Sequence, residues 1–181
     1  MKKRIFGWLL VAVAFMPALA AAQIILVNGK SQSKVTAQVT RADNLIITDD
    51  QGGWFGQGLT MQQLGGWETA YEVQARLRVI STAGKFRVRM DQPLEIRNQA
   101  KPTQAFQTPK VNMGVEGADL KPLTVGQGIE FENPAPPSPN IDSEGYYNLA
   151  VSAYPPAGDF KSTTGTYTGT LSLIFEPIVT K

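Results

Sequence analysis

Residues 71–79 alternate without a break, with Tyr71, Val73, Ala75, Leu77 and Val79 on one side and Glu72, Gln74, Arg76 and Arg78 on the other. A period of two describes a strand that buries one face. It returns at Phe86, Val88 and Met90 against Arg87 and Arg89. Ser81-Thr82-Ala83-Gly84 between the two runs reads as a short turn, so they are expected to pair as a hairpin whose basic residues face water. Further strands are expected at 111–115, 128–131, 146–154 and 167–175. The buried faces of the last two are Tyr147, Leu149, Val151 and Ala153, then Tyr167, Leu171, Leu173 and Phe175. Gly- and Pro-rich connectors separate the runs at 51–58, 65–66, 98–102, 133–140 and 155–158, and no segment keeps a helical period over three turns. Short strands joined by such turns imply an all-β sandwich or barrel. The connector 133–140, Asn-Pro-Ala-Pro-Pro-Ser-Pro-Asn, has the composition of a polyproline ligand but is expected to be a stiff loop.

The N-terminus fixes the compartment. Lys2, Lys3 and Arg4 precede an apolar stretch over 5–15, then Pro17, then the small residues around Ala20 and Ala22. This is the pattern of a secretory signal peptide over residues 1–22, cleaved after Ala20 or Ala22, and it is too short to span a bilayer. Cleavage removes three of the 17 Lys and Arg, leaving 14 against 15 Asp and Glu, so the mature chain carries −1 and offers no basic surface for nucleic acid. No second apolar run is long enough for a membrane span. The chain of 181 residues has no His and no Cys. Imidazole and thiolate chemistry, disulfides and the usual zinc or copper sites are therefore excluded. No enzyme activity, metal or cofactor is expected. The carboxylate pairs Asp49-Asp50 and Asp142/Glu144 both read as turn residues rather than a catalytic pair facing across a cleft.

Residues 23–41 carry a strand-quality pattern at the free end of the mature chain. Val35, Ala37 and Val39 alternate with Thr36, Gln38 and Thr40, and more apolar residues lie at 24–27. Such a segment can be the first strand of its own sheet or a strand meant for another chain's sheet. Lys34-Val35-Thr36-Ala37-Gln38-Val39-Thr40, followed by Asn44-Leu45-Ile46-Ile47, resembles the donor strand and first strand of alternate chaperone–usher pilins, the α-fimbrial colonisation factor antigen I class of major subunits. The ending Gly165-Thr166-Tyr167-Thr168-Gly169-Thr170-Leu171-Ser172-Leu173-Ile174-Phe175 resembles that family's final strand, and residues 79–90 sit where those pilins have a β-hairpin. The lack of cysteine agrees with this class.

The resemblance implies an immunoglobulin-like sandwich over 42–181 that lacks its final strand and is completed by donor-strand complementation. The donor would be the 23–41 extension of a neighbour, with Val35, Ala37 and Val39 as its inserted residues. Tyr167, Gly169, Leu171, Leu173 and Phe175 would flank the acceptor groove and meet a periplasmic chaperone first. The implied partners are the chain itself in a fibre, that chaperone and an outer-membrane usher. The implied route is export through the periplasm to a cell-surface fimbrium that supports adhesion. The rival reading is a secreted carbohydrate-binding module, with Trp54, Phe55 and Trp67 stacking on a host glycan; the bland alternative has these aromatics sealing one end of the sandwich.

Overall fold

The computed structural model describes residues 24–25, 35–36, 44–53, 55–56, 58–66, 68–139 and 141–178. Its elements in chain order are β1 (Ile24–Ile25), β2 (Val35–Thr36), β3 (Leu45–Asp49), β4 (Tyr71–Ser81), β5 (Lys85–Met90), β6 (Arg97–Asn98) and β7 (Lys110–Val115). They continue with β8 (Lys121–Pro122), β9 (Ile129–Glu132), β10 (Ser143–Ala153), the single-turn α1 (Phe160–Thr163), β11 (Tyr167–Gly169) and β12 (Leu171–Pro177). One sheet runs β3-β4-β10-β7-β8, the second β2-β12-β5-β9, and a small third sheet runs β1-β11-β6. All pairings are antiparallel except β2 with β12.

This is the connectivity of an immunoglobulin constant-type sandwich, in which strands A, B, E and D form one sheet and C, F and G the other. The longer strands β3, β4, β5, β7, β10 and β12 take positions A to F. The order β3-β4-β10-β7 is A-B-E-D, and β12-β5 is F-C. Beside β12, the described occupant of the G position is β2, from the N-terminal side, pairing over Val35 and Thr36. Among the described residues, no segment beyond residue 41 pairs with that edge. Among the described residues, the body of the sandwich beyond residue 41 supplies no last strand.

The strand faces follow the alternation. Leu77 and Val79 in β4, Phe86 and Val88 in β5, Leu149 and Val151 in β10, and Leu171, Leu173 and Phe175 in β12 are all buried. The two sheets meet through rings, Phe86 lying edge-on to Tyr147 at 5.2 Å and Phe131 edge-on to the same ring at 5.5 Å. β4 and β10 pair along their whole lengths, from Ser81 opposite Ser143 to Tyr71 opposite Ala153. They define two poles, one at Ser81 and one at Tyr71. At the Tyr71 pole, Phe106 closes the core edge-on between Tyr71 (5.3 Å) and Tyr167 (5.0 Å).

The expected hairpin does not form. β4 and β5 lie in different sheets, β4 between β3 and β10, β5 between β12 and β9. A hairpin would have put both apolar faces on one side of one sheet; the chain instead crosses at Ser81–Gly84 and turns the faces toward each other. Gly84 makes the crossing with φ +72, a conformation that costs glycine little. Within the turn the Gly84 N–H donates to Ser81 Oγ (3.2 Å), and further hydrogen bonds tie the turn to other segments. Ser143 Oγ donates to the Ser81 carbonyl (2.6 Å), and the Asn133 N–H donates to the Gly84 carbonyl (2.8 Å). The run 167–175 also departs from one continuous strand, breaking at Thr170 into β11 and β12. There the chain passes so close to residues 95–98 that a Cβ at Gly169 would run into the Glu95 carbonyl oxygen, and one at Gly165 into the Asn98 amide. Only glycine fits such approaches.

Asn133 locks the Ser81 pole. Its buried amide donates to the carbonyls of Val79 (3.0 Å) and Ser143 (3.1 Å) and accepts from the Tyr147 hydroxyl (2.8 Å). Burial pushes that hydroxyl's pKa up to about 12, with the Glu132 carboxylate adding to the shift. The loop that follows, residues 134–139, is exposed throughout.

Candidate assembly site along the last strand

An unpaired sheet edge is a template for another chain, and natural sheets blunt such edges with charge, proline or brevity. Three edges here are blunted. β8 is two residues long, Lys121 and Pro122. β9 carries Glu130 and Glu132 and runs into Asn133-Pro134. β3 is five residues long and stops at Asp49, whose carboxylate accepts the N–H groups of Gln51 (2.9 Å) and Gly53 (2.8 Å) in the next turn. The fourth edge is different. From Thr166 to Phe175 there is no charge and no proline.

β5 covers one side of β12 from Leu173, opposite Met90, to Pro177, opposite Phe86. The other side meets Val35 opposite Leu171 and Thr36 opposite Ser172, and higher up the run Ile24 and Ile25 lie opposite Gly169 and Thr168 of β11. Along 173–177 that second side has no strand partner among the described residues. β12 faces β3 across the open flank of the sandwich, so the groove lies between the A and F positions. Tyr167, Leu171, Leu173 and Phe175 turn inward at 4% exposure or less. Ser172 and Ile174 point to the outer side and are half-buried.

The chain's own extension therefore touches this edge. Val35 is the one proposed donor residue whose backbone is described; Ala37 and Val39 lie outside the described residues, as do the signal-peptide segment, Trp54 and Trp67. Phe55 is half-buried and packs against the core, as an end-sealing residue does. The basic residues on the outer faces are held in cross-strand ion pairs. Arg76 forks onto Glu116 (both 2.8 Å) and its guanidinium lies 4.1 Å over the Tyr146 ring. Arg78 forks onto Glu144 (2.9 and 2.8 Å), and Arg87 meets Glu130 at 2.6 Å. Glu144 sits in β10 rather than in a turn, because its partner Arg78 is the neighbouring strand's residue. Hydrogen bonds from Arg78 first and the Tyr146 hydroxyl second lower its pKa to about 2. A carboxylate so engaged is no general acid or base near neutral pH. Among the described residues no group of three acidic side chains could hold a metal, and no helix is long and apolar enough to cross a membrane.

Sequence reasoning missed Asn133, which reads as the polar first residue of a proline loop, and it missed the contrast between blunted and unblunted edges. The second was visible as a run of ten residues without charge or proline.

No curated protein matches the chain. It is similar to the solved structure of the CooA pilin subunit from enterotoxigenic Escherichia coli, at 13% identity and a TM-score of 0.48, over 76% of this chain and 99% of that one. The family described as CS1 type fimbrial major subunit matches residues 30–176. That span covers most of the polypeptide and both main sheets but for Pro177 at the end of β12, so the chain belongs to the CS1 type fimbrial major subunit family.

Proposed function

We propose that this subunit of a surface fimbria polymerises by inserting its 23–41 extension beside β12 of the next subunit. The observation that carries this reading is the outer edge of β12, which bears no charge or proline before Glu176-Pro177 and, among the described residues, has no strand partner along 173–177. A donor strand would supply ladder hydrogen bonds and inserted apolar side chains, the mode of strand addition by which pilins complement one another.

Direction matters. β2 runs parallel to β12 and so toward the Ser81 pole, where β3 begins with Leu45 opposite Ser81. A neighbour's strand in that sense would leave the groove at the pole from which the acceptor's own extension departs, and two neighbours would compete for it. An antiparallel donor leaves at the Tyr71 pole. The donor's Ser81 pole then faces the acceptor's Tyr71 pole, a head-to-tail contact that propagates as a filament. The parallel β2 pairing is thus a placeholder suited to the single chain. A periplasmic chaperone would hold the edge before exchange, and an outer-membrane usher would order the subunits.

The test is deletion of residues 23–41 in a strain that also makes the chaperone and usher. The expected product is a chaperone-bound subunit that forms no fibres, seen by electron microscopy of surface extracts. Fibres built from the deleted chain would refute the reading.

A further inference from the structure

We propose that the proline loop 134–139 of one subunit docks into a cleft at the Tyr71 pole of the next, forming a second contact at each fibre junction. The inference rests on the head-to-tail geometry above and adds to it a surface on each pole.

The loop is built to be presented. Pro134, Ala135, Pro136, Pro137, Ser138 and Pro139 are all exposed, and four prolines in six residues leave little freedom to lose on binding. Its base is fixed by the buried Asn133, bonded to Val79, Ser143, Tyr147 and Gly84. The loop therefore projects from the Ser81 pole as a stiff apolar finger.

The opposite pole carries a cleft of about 360 Å³ lined by Leu64, Glu68, Thr69, Glu72 and Tyr154, among others. It lies at the Tyr71 end, since Glu72 pairs with Ser152 and Tyr154 follows Ala153, the partner of Tyr71. Leu64 is 85% exposed and Tyr154 49% exposed, so the cleft presents an aliphatic and an aromatic surface with carboxylates at the rim. Exposed proline rings on a loop already bent at 137–139 can pack against the Leu64 and Tyr154 surfaces with little freedom lost on binding. The occupant is a second copy of this chain: an antiparallel donor brings one subunit's Ser81 pole, and the loop with it, against the Tyr71 pole of the subunit it completes.

The chain has no cysteine, which makes crosslinking clean. Leu64→Cys and Ser138→Cys, together in one chain, should give a ladder of disulfide-linked oligomers when surface fibres are oxidised and then dissociated. Neither single variant should do so. Where the double variant yields no fibres, co-expressing the two single variants should give crosslinked dimers instead. Fibres of ordinary length without ladder or dimer overturn the docking while leaving donor-strand exchange intact; fibres from the chain lacking 23–41 would sink the exchange itself. Loss of glycan retention in Tyr154→Ala fibres, with no crosslink in the cysteine variants, would assign the cleft to a sugar and overturn the proposal.

Discussion

Asn133→Ala tests whether the Ser81 pole is held by one buried amide. The side chain is 5% exposed. Its removal leaves the Tyr147 hydroxyl and the carbonyls of Val79 and Ser143 short of a partner in the interior, although Ser143 Oγ keeps its bond to Ser81. At roughly 0.5–1.5 kcal/mol for each lost hydrogen bond, three bonds amount to about 2–4 kcal/mol. A chain of this size loses roughly 2–4 °C of thermal midpoint per kcal/mol, so the midpoint should fall by about 4–16 °C. The assays are thermal and urea unfolding of the purified subunit, each followed by circular dichroism. Gly145→Ala supplies an independent approach to the same contact, because its new Cβ would run into the Asn133 amide oxygen and lie 3.0 Å from the Tyr147 ring. If both changes act through that amide, the double variant loses less than the two single losses added together. A loss below about 0.5 kcal/mol for Asn133→Ala, or strict additivity with Gly145→Ala, would refute the assignment.

Two further outcomes are expected. Leu171→Asp places an unpaired charge at a position with 0% exposure on β12, the proposed acceptor strand. Chaperone capture should be lost, and normal periplasmic accumulation of the variant would count against the groove. The Arg78–Glu144 fork should make stability acid-sensitive. Glu144 titrates at about 2 in the folded chain against ~4.3 for an ordinary glutamate. Its contribution is therefore present above about pH 4.3 and fades as pH drops toward about 2. Urea midpoints should fall across that window in the wild type and fall less steeply in Glu144→Gln; parallel declines would show that the fork contributes nothing.

The alternation at 71–79, 147–153 and 171–175 disclosed which faces are buried, because a period of two reports a face directly. It did not disclose which sheet a strand joins. β4 and β5 read as a hairpin because a strand facing its partner across a sandwich has the same pattern as one beside it in a sheet; Phe86 answers Tyr147 of the other sheet. Glu144 looked like a turn residue because Arg78 is 66 positions away in the chain. Asn133 was hidden for the same reason, since its partners Val79, Ser143 and Tyr147 meet only in the fold. The Tyr167–Phe175 region was legible as a final strand, and the physical reason for its glycines became visible only beside Glu95 and Asn98.

The placement of β2 bears on how an exchange can begin. An edge already filled along its whole length must be vacated before a second strand can pair, so the barrier includes loss of every ladder bond of the first occupant. Among the described residues, the chain's own N-terminal strands pair with residues 168–169 and 171–172. Residues 173–177, at the Ser81 end of β12, have no strand partner on that flank among the described residues, while β5 holds their other side in register. In the proposed exchange, an antiparallel donor pairs first along that stretch, the N-terminal part of the donor lying nearest Pro177. It then advances toward Leu171, displacing β2 bond by bond, so that each ladder bond lost from the old strand is offset by one gained from the new. In this proposal the described β2 pairing is the strand that the donor replaces, and the 173–177 flank is the foothold from which replacement starts.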